Sequence, residues 1–138
     1  MQSSAVDASA AGGRRAFWNR PIREGHAPAR RVQIKQVIQA HLRDPEFSVS
    51  ALSREMGLSS RYMQMLFQDG PESISQYIRR QRLEGCRKQL ADPAFRERSV
   101  TEISFSWGFN SAAHFCRAFR AQYRTSPTLF RFSQAAPG

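Results

Sequence analysis

The sequence is poor in several things, and each scarcity closes a class of function. It has two cysteines, Cys86 and Cys116, which leave no room for a disulfide framework. Neither forms a metal-ligand spacing with His26, His41 or His114. A reducing cytoplasm is the expected compartment, and no cofactor or metal is expected. No apolar run approaches the roughly 20 residues that span a bilayer, so no membrane partner is expected. Residues 2–13 are small and polar, without the apolar centre of a secretory signal. Catalytic constellations are missing too: Glu84 and Glu102 stand as isolated carboxylates, and the serines sit where helices begin. An enzyme is not expected. Lysine is nearly absent. Only Lys35 and Lys88 occur among 21 basic residues, against 11 acids and a net charge of +10.

The remaining 19 basic residues are arginines. Biased codon usage would explain arginine over lysine, but not the excess of positive charge. That excess suits a polyanionic partner, and the arginine fork matches phosphate and guanine edges bidentately. With 138 residues and 41% hydrophobic content, the chain can build one ordinary domain or two very small lobes.

Periodicity favours helices throughout, so the fold class is expected to be all-α. Residues 1–29 read as a flexible basic arm or linker in which Phe17 and Trp18 stand out. Val32, Val37, Ile38 and Leu42, with Ile34 beside them, give a helical stripe that ends at "RDP". "VSALSREMG" is a short helix closed by Gly57, and "SSRYMQMLFQ" restarts with Ser59 as N-cap. Ser73 and Gln76 form a capping box for a helix from Ile74 to about Ala91, and Ser99 with Glu102 form another. Asn110 or Ser111 caps "AAHFCRAFRAQY", and Ser126–Pro127 opens a last helix. About seven helices result. They are arranged as a first lobe (30–72), a connector (73–91), a second lobe (92–133) and a tail (134–138).

One unit occurs twice. Val49, Leu52, Gly57 and Leu58 match Val100, Ile103, Gly108 and Phe109; after one inserted residue, Met63 and Phe67 match Phe115 and Phe119. Each copy is helix, glycine turn, helix, which is the helix-turn-helix pattern. The apolar positions are core. The opposite faces of the two second helices carry Arg61, Gln64, Met65 and Gln68, and Ala113, Cys116, Arg117 and Arg120. Neither has an acid, whereas a plain solvated face more often mixes Glu with Lys. Arg and Gln suit guanine and adenine edges, and the small or apolar residues suit thymine methyls. Along the connector the apolar side shifts: Ile74, Tyr77 and Ile78 share one side, and Leu83, Cys86 and Leu90 lie about 140° round. Its 18 residues span about 27 Å; with the lobe radii added, two reading helices can stand about 34 Å apart, one turn of B-DNA. Arg79, Arg80, Arg82, Arg87 and Lys88 on this helix are candidates for backbone phosphates.

"SALSREMGLSSRYMQMLFQ", "SISQYIRRQRLEGCRKQL", "VTEISFSWGFNSAAHFCRAF" and "SPTLFRF", in this order, resemble the DNA-binding domain of AraC/XylS-type bacterial transcription regulators. The likeness covers about residues 32–132. It implies two helix-turn-helix lobes joined by a long helix, with adjacent major grooves of double-stranded DNA as target. By motif position, base contacts fall on Arg61, Gln64, Met65, Ala112, Ala113, Cys116 and Arg117. Phosphate contacts fall on Ser59, Ser60, Gln68, Arg79, Arg80, Asn110, His114 and Arg120, with His114 also able to buttress its helix. RNA polymerase is a further expected partner, and a full-length relative would carry a separate effector-binding and dimerisation domain. The chain departs from the family at Ser53 and Ser104, where alanine is usual, and at Arg124, where glycine usually stands. Gly70 comes one residue early. With Ala112 and Ala113 in its second reading helix, that helix is expected to be the looser reader. The competing readings are a helical protein-interaction module or antagonist of a regulator, and a structured-RNA binder. Against the RNA binder, the aromatics lie on core stripes instead of exposed stacking positions.

Overall fold

A computed structural model describes residues 27–135. The arm assigned to residues 1–29 and the tail therefore lie largely outside the described residues, as do Phe17 and Trp18. Among the described residues there are seven α-helices and no strand: α1 (Ala27–His41), α2 (Val49–Met56), α3 (Ser60–Leu66), α4 (Ile74–Ala91), α5 (Val100–Ser106), α6 (Ala112–Tyr123) and α7 (Pro127–Ala135), with a 3-10 turn at Pro93–Phe95. They divide into two compact units. One takes residues 27–41 and 46–78; the other takes 42–45 and 79–135.

In the first unit, α1 begins three residues before Arg30, because Pro28 is tolerated in a first helical turn. Its buried face is Arg30, Ile34, Val37 and Ile38. Val32, expected in this stripe, is instead 54% exposed. Two residues before Ile34, it lies about 200° round the helix from it. The rest of the unit's core is Phe47, Leu52, Met56, Met63, Phe67, Ile74, Tyr77 and Ile78, all buried. The starts of α2, α3 and α4 are each fixed by a side-chain oxygen. Ser48 accepts from Ala51 N (3.2 Å), Ser59 from Tyr62 N (3.0 Å), and Ser73 and Gln76 bond reciprocally. Gly57 ends α2 with φ 67°, a left-handed conformation that glycine adopts without a Cβ penalty. Ser53, the first departure from the family's alanine, is accommodated: its hydroxyl donates to Leu58 O across the turn.

The second unit is built on Leu83, Cys86, Leu90, Ile103, Phe109, Phe115 and Phe119, with Phe95, Val100, Trp107, Ala118, Tyr123 and Phe130 packed against them. Phe115, Phe119 and Tyr123 recur every four residues on α6, so their rings meet in series. Centroids lie 5.7 and 4.7 Å apart, with Phe109 and Phe130 adding contacts at 5.0 and 5.8 Å. Ser99 and Glu102 complete a capping box on α5. Ser111, not Asn110, caps α6 by accepting from His114 N at 3.1 Å. Ser104 is fully buried, yet its hydroxyl donates to Thr101 O at 2.8 Å, so it costs little. At Arg124 the backbone adopts the conformation a glycine would have taken, φ 64°, and its N–H closes α6 on Arg120 O at 2.8 Å.

Candidate nucleic-acid interface

The two second helices of the repeated motif, α3 and α6, each bury one stripe and leave the opposite one free. On α3, Met63 is buried while Arg61, Gln64 and Met65 are exposed. Met65 is 56% exposed, so a large apolar side chain on this helix has no core to fill. Gln68 is exposed as well, but it lies beyond the helix end, in a turn where its N–H meets Met65 O at 3.1 Å. The expectation that α3 continues through Gln68 is thus corrected. Phe67 caps the helix, and Arg31 Nη1 reaches its last carbonyl, Leu66 O, at 3.1 Å.

On α6, Phe115 and Phe119 point inward. Ala113, His114, Cys116, Arg117 and Arg120 are exposed, and Ala112 is half-buried. The structure thus exposes Arg61, Gln64 and Met65 on one helix and Ala113, Cys116 and Arg117 on the other. The side chains of Arg61, Gln64, Arg117 and Arg120 make no hydrogen bond or ion pair among the described residues. No Asp or Glu occurs from residue 103 to residue 138. The face of α6 is therefore positive, with no ion pair to Arg117 or Arg120 among the described residues. Ser59 and Asn110 are exposed just before the helices, and Ser60 is half-buried. The His114 ring lies 6.2 Å from Phe109, so it leans on the core at the start of α6 while staying exposed.

The connector cations separate into two kinds. Arg79 and Lys88 are exposed, and Arg80 is half-buried with interactions of its own. Arg82 and Arg87, also candidates for phosphates, hydrogen-bond to the protein itself. Arg82 donates from Nε to Leu42 O (2.9 Å) and from Nη2 to Asp44 O (2.7 Å), and burial pulls its pKa below the ordinary arginine value. Arg87 pairs with Glu84, which is not isolated: it also accepts from the Tyr123 hydroxyl at 2.9 Å.

Sequence reasoning also missed Arg43. Its guanidinium lies 4.1 Å above the Trp107 ring, and Nη1 points to Ser106 O at 3.4 Å. The signal that could have found this cluster is Gly85. A glycine inside a helix marks a close approach, and a Cβ there would stand 2.5 Å from the Trp107 ring. The two thiols differ sharply. Cys116 is exposed, whereas burial pushes the Cys86 thiol up to about 12.

Comparison with known proteins follows the same lines. A family model described as a helix-turn-helix domain matches residues 52–132. The chain is 29% identical over 106 residues to the transcriptional activator NphR of Rhodococcus sp, covering 77% of this chain and 31% of that protein. It is 27% identical over 96 residues to the probable transcription factor PqrA of Proteus vulgaris, covering 69% and 76%. With the right origin-binding protein of Escherichia coli K12 it shares 30% over 97 residues, covering 70% and 32%. The chain thus spans about a third of NphR and of the origin-binding protein, and about three quarters of PqrA. Among solved structures, the C-terminal domain of the response regulator yesN from Fusobacterium nucleatum superposes with a TM-score of 0.65 at 26% identity, over 72% of this chain and 95% of that one. An AraC-type regulator from Chromobacterium violaceum shares the fold with a TM-score of 0.68 at 24% identity, over 83% and 100%. The chain belongs to the AraC/XylS-type family of helix-turn-helix transcription regulators.

Proposed function

We propose that this chain binds double-stranded DNA sequence-specifically, with α3 and α6 reading successive major grooves of one asymmetric site. The observation that carries the proposal is the pair of equivalent outward faces. Both are free of acids, and among the described residues the side chains of Arg61, Gln64, Arg117 and Arg120 make no hydrogen bond or ion pair. Because both copies run in the same chain direction, the target is not a palindrome. On the α3 side, Arg61 and Gln64 supply bidentate hydrogen bonds to base edges, and Met65 covers a thymine methyl. On the α6 side, Arg117 is the main base-reading donor, with Ala112, Ala113 and Cys116 as small contacts, so discrimination is weaker there. Ser59, Ser60, Gln68, Arg79, Arg80, Asn110, His114 and Arg120 meet the phosphates flanking these grooves. The chain works in the cytoplasm as the DNA-binding part of a regulator that also engages RNA polymerase. A separate effector-binding and dimerisation domain completes the full-length protein.

The test is selection of bound fragments from a random duplex pool, followed by salt titration. The expected result is an enriched site with two blocks of unequal strength and a steep fall of affinity with salt, about 0.9 log unit of K per log unit of salt for each neutralised phosphate. Arg61→Ala and Gln64→Ala should each relax the stronger block alone, costing about 1–3 kcal/mol there. A pool that never enriches, or an Arg61→Ala protein that selects the parental site unchanged, contradicts the proposal.

A further inference from the structure

Three side chains, on α4 and at the end of α6, are joined in a way that neither core packing nor phosphate binding requires. Tyr123 Oη donates to Glu84 Oε1 at 2.9 Å, between residues 39 positions apart. The same carboxylate is gripped from the next turn of α4 by Arg87, through Nε to Oε1 at 3.1 Å and through Nη2 to Oε2. We infer that Glu84 and Tyr123 are a positioning pair for the second reading helix, tying the C-terminal end of α6 to α4. The functional half of this inference rests on the reading that the outer face of α6 meets DNA.

Phe115 and Phe119 bury the middle of α6, but apolar packing is non-directional and permits small rotations about the helix axis. At the N-terminal end the Ser111 cap closes the first turn, and the Phe109 ring packs on Phe115 at 5.0 Å. At the C-terminal end the helix stops at Tyr123, and the chain turns sharply at Arg124. There the Tyr123–Glu84 hydrogen bond supplies a directional tie. The Arg87 fork in turn holds the carboxylate in one orientation, so the acceptor cannot swing with the tyrosine. Arg87 hydrogen bonds keep Glu84 below the usual carboxylate range, and burial followed by the bond to Glu84 raises Tyr123. Donor and acceptor therefore keep their roles across neutral pH. Arg117 lies six residues, about 9 Å, from this tie along the helix. Base reading tolerates placement errors of only about 0.5 Å and 10–20°, so a loosened end is felt at Arg117 and Arg120.

The experiment uses the full chain with Tyr123→Phe and Glu84→Gln. Phenylalanine keeps the ring that stacks on Phe119 at 4.7 Å and removes only the hydroxyl, so the fold is retained. Glutamine keeps an oxygen that accepts from Tyr123 and drops the charge that Arg87 grips. Amide hydrogen exchange of the DNA-free protein should rise about 3- to 10-fold over residues 119–124 in Tyr123→Phe, the range expected for one lost hydrogen bond, with α3 unchanged. Affinity for the selected site should fall by a similar factor, with protection lost only on the α6 side, and Glu84→Gln should lie between parent and Tyr123→Phe. Unchanged exchange in α6 overturns the tie itself. Raised exchange with parental affinity and protection overturns its role in reading. If the parent gives no α6-side protection at all, the DNA reading fails, and the exchange result alone decides whether the pair anchors the helix.

Discussion

The repeated motif has two turn glycines, and adding one methyl to each should have very different consequences. Gly57 has φ 67° and open space around an added Cβ; Gly108 has φ 95°, and a Cβ there would lie 2.6 Å from Leu42 O and 2.6 Å from Arg82 Nε. At Gly57, alanine meets only left-handed backbone strain, about 1–2 kcal/mol. Loss of unfolded-state entropy offsets about 0.4–1 kcal/mol of that, leaving a net cost of about 1 kcal/mol. At Gly108 the same strain is joined by overpacking against a backbone oxygen, about 1–3 kcal/mol. Displacing Arg82 also weakens its charged hydrogen bonds to Leu42 O and Asp44 O, worth about 1.5–3 kcal/mol. These terms overlap, because the collision and the displaced guanidinium are one event. We therefore expect about 3–5 kcal/mol for Gly108→Ala, about 2–4 kcal/mol more than for Gly57→Ala. Urea unfolding reads the difference, by circular dichroism for all helices and by Trp107 fluorescence for the second unit, with Trp18→Phe as background. The fluorescence midpoint of Gly108→Ala should drop by more than about 1 M, while Gly57→Ala leaves it in place. Equal losses at the two glycines would refute the claim that Arg82 and the Leu42 carbonyl close on Gly108.

Arg82→Met should destabilise the second unit by about 1.5–3 kcal/mol, because two carbonyls lose a charged donor. Arg79→Ala should leave the melting curve in place but lower the salt slope of DNA binding by about one; reversed outcomes would exchange the roles assigned to these two arginines. With a disulfide reagent at pH 8, Cys116 should react at once and Cys86 only on unfolding, since burial holds Cys86 as a neutral thiol. Two fast thiols would contradict the buried assignment. Glu84 has its folded pKa lowered, first by the Arg87 hydrogen bond and further by Tyr123 and by the charges of Arg87 and Lys88. Its contribution is complete above the ordinary carboxylate value and is lost as pH falls through the folded value. Glu84→Gln should therefore flatten the acid side of the stability profile; parallel profiles for parent and variant would count against the pair.

Most helix starts were legible because local chemistry sets them. Ser59, Ser73 with Gln76, Ser99 with Glu102, and Ser126 with Pro127 all announce starts within four residues of sequence. The outward faces of α3 and α6 were legible for a similar reason, since helical phase follows from the buried Met63, Phe115 and Phe119. What sequence could not separate is arginine from arginine. Arg79, Arg82 and Arg87 share one helix, yet Arg82 meets carbonyls 38 and 40 residues away while Arg79 stays exposed. Glu84 looked isolated because its second partner, Tyr123, comes from another helix. Arg124 breaks the rule that glycine takes a left-handed turn; the N–H it supplies to Arg120 O is the same one glycine would have supplied. Val32 was misplaced because a run containing both Val32 and Ile34 fits two helical phases, and burial around Ile34 chose between them.

The claim on which the functional account turns is that two like-directed helices read one duplex at the spacing of a helical turn. Base-modification protection on a selected site, repeated after inserting five base pairs between its two blocks, tests it most directly. The account predicts two protected major-groove patches about one turn apart on the parent site, and loss of the weaker patch together with most of the affinity when the insertion turns it to the opposite side of the duplex. A single patch, or affinity indifferent to the insertion, would contradict it.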